Sequence, residues 1–103
     1  WGLEAVQIRR AVQTGVAGAG VRVAVLDTGF DASHPDFADR SVVVESFIPG
    51  QGPQDVHGHG THCIGTACGP WHPAAGAVQS PGYGVASEAE IYSAKVLGDD
   101  GAG

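Results

Sequence analysis

The stretch "VRVAVLDTG", residues 21–29, decides the fold. Its first seven residues are a near-continuous apolar, β-branched run, which fits a strand buried on both faces of a parallel sheet better than a half-exposed one. The run stops abruptly at Asp27, Thr28 and Gly29, where turn-forming residues replace apolar ones. Upstream, "WGLEAVQIRRAVQTG" (1–15) spaces Leu3, Val6, Ile8, Ala11 and Val12 as short amphipathic surface helices closed by Gly15. Downstream, the polar turn "DASHPDFAD" (31–39) leads into a second strand, "SVVVESF" (41–47), and then a Pro- and Gly-rich loop, "IPGQGPQD" (48–55).

The segment "HGTHCIGTACG" (59–69) is small and apolar throughout and reads as a buried helix whose glycines answer a packing need. An irregular connection, "PWHPAAGAVQSPGYG" (70–84), precedes a third strand within "AEIYSAKVLG" (89–98). Strands alternating with a helix and turns make an α/β pattern with crossover connections and a mostly parallel sheet. Three strands with one central helix leave apolar faces open. Residues 1–103 therefore read as an incomplete portion of a larger α/β domain, or as one partner of a pair of chains.

Composition narrows the function. Eleven acidic against five basic residues give a formal charge of -6, and the basic residues form no cluster, which argues against a nucleic-acid partner. No apolar run approaches the roughly 20 residues that span a bilayer, so no membrane partner is expected. Trp1 does not begin a signal peptide, and the start reads as a mature or trimmed end. The 17 glycines have no fixed period and read as turns and close backbone approaches. Cys63 and Cys68 fall in one helix with diverging side chains, so two free thiols are expected, or a bridge from Cys68 to a cysteine elsewhere.

Asp27 ends an apolar strand, and in open parallel sheets ligands bind at the carboxyl ends of strands. It reads either as a turn former or as a carboxylate with a functional partner. His59, flanked by Gly58 and Gly60 at the start of the helix, is the candidate partner: it would give one ring hydrogen to Asp27 and use the other nitrogen as a general base. The cluster "DVHGHGTHCIG" (55–65) also raises a zinc reading with His57, His59, His62 and Cys63. Adjacent helical positions 62 and 63 diverge by about 100°, which disfavours a shared tetrahedral centre.

"VAVLDTGFDASHPDF", then "HGHGTHCIGTACG", then "YGVASEAEIYSAKVLGDDGAG" resemble the subtilisin-like serine proteases, and "HGTHC" is most similar to their proteinase K-like branch. The resemblance implies a three-layer α/β/α domain, of which this chain is the N-terminal part, and an endopeptidase using an Asp-His-Ser triad. Asp27 matches the catalytic aspartate and His59 the catalytic histidine. Thr28 matches a residue that donates a hydrogen bond to the aspartate, and Cys63, four after His59, should lie beneath the base. His57 is expected at the rim, and His62 matches an internal structural residue. Leu97, Gly101 and Gly103 match the wall and edge strand along which a peptide substrate lies.

Asp36 falls where many relatives ligate a structural calcium, although the loop at 70–84 departs from the other ligands; no cofactor is implied for catalysis. The family's nucleophile sits in a "GTSMA"-type motif, and none of Ser33, Ser41, Ser46, Ser80, Ser87 or Ser93 has that context. The serine and the oxyanion-hole asparagine are therefore expected on the rest of the domain or on a second chain, and this segment alone is expected to be inactive. Secretion is likewise what the resemblance implies. Two alternatives stand beside it. "VAVLDTG" also fits the Asp-Thr-Gly signature of an aspartic protease half, which would be nearly all β and has no role for "HGTHCIGTACG". A split or catalytically incompetent protease half acting as an assembly partner is the other.

Overall fold

Alternation along three short strands builds one sheet. The computed structural model describes residues 1–74 and 81–103. β1 (Arg22–Asp27), β2 (Val42–Ser46) and β3 (Glu90–Lys95) pair in the order β1-β3-β2, all parallel, so the last strand in sequence is the central one. Parallel neighbours need crossovers, and the helix of the β2-to-β3 connection is α3 (His59–Cys68), where the small apolar run predicted it. The N-terminal segment forms α1 (Gly2–Ala5) and α2 (Ile8–Gln13), separated by Gln7 in the left-handed region, and only Ile8 is buried. Helices this short gain little from their own hydrogen bonds.

With a period of two, Val23 and Val25 of β1, Ile91 of β3 and Val42 of β2 share one face and pack with Ile64 and Cys68 of α3. Phe30 and Phe37, from the loop and 3-10 turn after β1, close this core edge to face with centroids 5.4 Å apart. Ile64 and Ile91 are fully buried, each worth about 1.5–3 kcal/mol in apolar transfer. Asp27 lies on this same face, at the end that meets the start of α3.

The expectation that residues 21–27 are buried on both faces is corrected. β1 is an edge strand whose residues alternate exposed and half-buried, and Leu26 is 63% exposed. The physical reason is the strand order: β3 takes the central position, and among the described residues nothing packs on the face carrying Leu26 and Val43. Central β3 instead alternates buried with half-buried residues from Ile91 to Lys95, only Glu90 at its start being exposed.

Two cations hold the scaffold. The Arg40 guanidinium donates to Cys68 O at 2.9 Å and Ala89 O at 2.8 Å, tying the C-terminus of α3 to the entry of β3. Lys95 is 1% exposed and donates to Gln54 O at 2.7 Å and to the Asp99 carboxylate, anchoring the loop before α3. Among the described residues no buried side-chain polar atom lacks a partner. The segment 70–84 shows no helix or strand in its described residues, while 75–80 lie outside them. No helix of the described residues is long and apolar enough to cross a membrane.

Candidate active site

β1 ends and α3 begins against each other because two glycines let backbone touch backbone. Gly29 has φ +115°, and a Cβ there would lie 2.6 Å from Pro53 O; a Cβ on Gly60 would overlap Gly29 O. The first turn of α3 thus sits directly on the turn after Asp27. Its free N–H groups, which a helix start leaves unpaired, find two side chains. Thr28 Oγ1 accepts from Gly60 N at 2.8 Å, and Asp55 accepts from Thr61 N and from Gly58 N, each at 2.8 Å.

Asp55 is the hub of this arrangement. It also accepts the Thr28 hydroxyl at 2.8 Å and the Thr61 hydroxyl at 2.6 Å, while Thr61 Oγ1 accepts Asp31 N at 3.0 Å. Burial pushes the Asp55 carboxyl upward, but the Thr61 hydroxyl, the two backbone N–H groups and the Thr28 hydroxyl outweigh it and hold it at about 2. Asp55 was not singled out from the sequence. The available signal was an Asp just ahead of a helix start, where carboxylates cap free N–H groups.

With both elements fixed, His59 Nδ1 stands 2.8 Å from Asp27 Oδ1 and 2.9 Å from Oδ2. Thr28 N donates to Asp27 Oδ1 at 2.7 Å. Burial raises the Asp27 carboxyl, yet the hydrogen bonds from His59 and from the Thr28 amide prevail and hold it below its ordinary value. An ionised carboxylate only accepts, so the proton of the neutral ring belongs on Nδ1 and the Nε2 lone pair is left for chemistry. The His59 side chain is 60% exposed against 13% for Asp27, which leaves that nitrogen open to solvent or substrate.

Thr28 donates to Asp27, as expected, through its backbone amide, while its hydroxyl is turned to Asp55 and Gly60. Cys63 lies one turn on from His59, with Sγ 3.6 Å from Nδ1, and both cysteines are free thiols. Burial and the Asp27 carboxylate raise the Cys63 thiol, so it rests protonated. His57 is exposed at the rim, its ring 6.3 Å from that of His59. His62 is exposed rather than internal, because its position on α3 faces away from the sheet, beside a cavity of about 660 Å³ lined also by Asp36, Asp55 and Tyr83.

Leu97 N donates to Asp27 O at 3.1 Å, which puts Leu97 next to the site. The strand expected near Gly101 is instead a turn closed by Gly98 N to Ala102 O at 2.7 Å, with Gly101 at φ +80° beside the His57 ring; Gly103 follows it, next to Leu97. Asp36 lies apart from the dyad and accepts Ala74 N and the Tyr83 hydroxyl, both at 2.7 Å, so what it does here is anchor a loop. Among the described residues no group of three metal-ligating side chains includes it.

The site is thus a carboxylate at the end of a parallel strand, hydrogen-bonded to the histidine that opens the next helix, on an α/β scaffold. The subtilase family model matches residues 18–103, and the chain belongs to that family. Relatives include subtilisin BL of Lederbergia lenta, 47% identical over all of this chain and 35% of that protein. Among enzymes of the proteinase K-like group, the cuticle-degrading protease of Metarhizium anisopliae is 46% identical over 84% of this chain and 19% of its own length. Proteinase R of Parengyodontium album is 41% identical over the same shares. The solved structure of sphericase superposes with a TM-score of 0.66 at 40% identity, covering 84% of this chain and 28% of that one. The chain thus spans about a fifth to a third of the curated relatives it matches. The subtilisin-like α/β fold agrees with the sequence reading, and the parallel sheet excludes the nearly all-β aspartic protease half.

Proposed function

We propose that the protein is a serine endopeptidase in which this chain supplies the Asp-His part of an Asp-His-Ser triad, the serine and the oxyanion-hole asparagine coming from the rest of the protein or from a second chain. The observation that carries this is the hydrogen bond from His59 Nδ1 to Asp27, which leaves Nε2 exposed and proton-accepting. In the proposed cycle His59 Nε2 takes the serine proton as the hydroxyl attacks a peptide carbonyl, and later gives it to the leaving amine. Asp27 keeps the ring in the reactive tautomer and stabilises the imidazolium. Asp55 and Thr28 keep helix and strand in register so that the two stay paired.

The substrate is a protein or peptide laid beside Leu97, Gly101 and Gly103, and the enzyme is secreted, as the family resemblance suggests. A calcium ion at Asp36 belongs to this proposal as a stabilising group and enters no step of the reaction. The test is the full-length protein with a chromogenic peptide and a fluorophosphonate probe. Peptide hydrolysis, and covalent labelling lost in His59→Ala, are expected. Absence of both in folded full-length protein would refute the proposal and leave the assembly-partner reading.

A further inference from the structure

We propose that Asp99, held by the buried Lys95 ammonium and by Gln51, is a positioning residue for the peptide: it fixes the turn over residues 98–102 in the shape that presents Gly101 and Gly103 to an extended substrate arm. The inference rests on the substrate placement proposed above.

The turn begins where the central strand ends. Val96 N and Leu97 N both donate to Asp27 O, at 2.9 and 3.1 Å, so the chain leaves β3 pinned to the residue that pairs with His59. It then folds back through Gly98 N to Ala102 O at 2.7 Å and Gly101 N to Gly98 O at 2.8 Å, while Asp100 Oδ1 accepts Ala102 N at 2.9 Å. Three of the six residues 98–103 are glycine, and Gly101 stands at φ +80°. So glycine-rich a segment has many conformations to lose and does not keep one shape unaided.

Two side chains supply the hold. Lys95 is 1% exposed, and its Nζ donates to Gln54 O at 2.7 Å and to Asp99 Oδ1. An ammonium so far from solvent needs a counter-charge, and Asp99, whose side chain is 43% exposed, reaches down from the turn to provide it. From the other side Gln51 Oε1 accepts Asp99 N at 3.0 Å. Gln51 and Gln54 belong to the loop that leads to Asp55 and His57, and the His57 ring leans on Gly101, where a Cβ would lie 3.0 Å from Nε2. Turn and loop are thus joined at Asp99 and meet again at Gly101.

A backbone edge pairs well with a peptide only if its shape is set beforehand, because ordering it on binding subtracts from affinity. Asp99 is bonded to Lys95 and Gln51 rather than to the dyad. Its effect therefore falls on binding of the substrate arm and not on proton transfer, and only for substrates long enough to reach the turn.

The experiment compares, in the full-length protein, a blocked tetrapeptide anilide, whose residues before the cleaved bond reach the turn, with a single-residue ester that does not reach it. Asp99→Ala and Gln51→Ala should each raise KM for the tetrapeptide by about tenfold, with kcat within about twofold and the ester unaffected. Arg40→Met, which loosens the far end of α3, should leave both KM values unchanged, and circular dichroism checks that each variant is folded. Equal losses on ester and tetrapeptide, or the same rise in Arg40→Met, would overturn the positioning role. So would an unchanged tetrapeptide KM in Asp99→Ala or, should that variant not fold, in Gln51→Ala. Binding of the same tetrapeptide ending in an alcohol instead of the anilide, followed by the amide signals of Gly101 and Gly103 in NMR, separates this inference from the endopeptidase reading. Weaker binding in both variants, with a wild type that hydrolyses neither substrate, supports the role of Asp99 while refuting the endopeptidase. No binding to wild type at about 1 mM peptide overturns the inference, whatever the ester shows.

Discussion

Replacing Asp55 by Asn keeps the size of the hub and removes its charge. The carboxylate accepts four hydrogen bonds of 2.6–2.8 Å, with Gly58 N on one oxygen and Thr61 N on the other. However the amide is turned, its NH2 group faces one of those N–H groups, so one charge-assisted bond is lost and one donor at the helix start is left without a partner. Such a loss costs about 2–4 kcal/mol. The lowered pKa gives an independent figure: a carboxyl held at about 2 rather than 3.8 corresponds to at most about 2.5 kcal/mol of stability near neutral pH, less what solvent screens at this half-buried site. Because the folded value is lowered, that stability is complete above the unfolded value and fades as pH falls toward about 2. Urea unfolding of wild type and Asp55→Asn, followed by circular dichroism across that range, reads both effects. A loss of about 2–3 kcal/mol near neutrality that shrinks in acid is expected. A variant within about 0.5 kcal/mol of wild type, or a gap independent of pH, would refute the assignment of Asp55 as the hub.

On the proposed function, His59→Ala in the full-length protein should lower kcat by roughly a millionfold, and Asp27→Asn by about ten-thousandfold, with small changes in KM, read by steady-state peptide hydrolysis. Gly60→Ala should cost more than about 3 kcal/mol or prevent folding, because its Cβ would overlap Gly29 O, and soluble yield and thermal melting check this. Arg40→Met keeps the apolar stem but leaves Cys68 O and Ala89 O without their donor, so a loss of about 2–3 kcal/mol is expected in the same unfolding assay.

The parts of this molecule written in the sequence are those governed by local pattern. The β-branched run at 21–27, the strands at 41–47 and 89–98, and the small apolar helix at 59–69 appear within a few residues of their expected bounds, because strand alternation and helix-compatible spacing are local properties. Asp27 and His59 were paired from their places at a strand end and a helix start, and 2.8 Å separates them. Strand order is not local. Nothing within residues 21–29 says that β3 will insert between β1 and β2, so β1 looked doubly buried although it lies at an edge. Asp55, and the bonds of the Thr28 hydroxyl to Asp55 and Gly60, escaped for a related reason. Their roles come from hydrogen bonds to a helix start that only the folded contact between β1 and α3 brings into reach. Lys95 carries a sequence signal in hindsight, since alternation puts it on the buried face with Ile91 and Ser93, but its partners Gln54 and Asp99 come from separate loops.

The most direct test of the dyad is the protonation of the His59 ring, observed by nitrogen-15 NMR in protein labelled at histidine. The neutral ring should carry its proton on Nδ1, shifted far downfield by the bond to Asp27, with Nε2 bare, and that signal should vanish in Asp27→Ala. A ring protonated on Nε2 instead, or one whose signal ignores the loss of Asp27, would contradict the account.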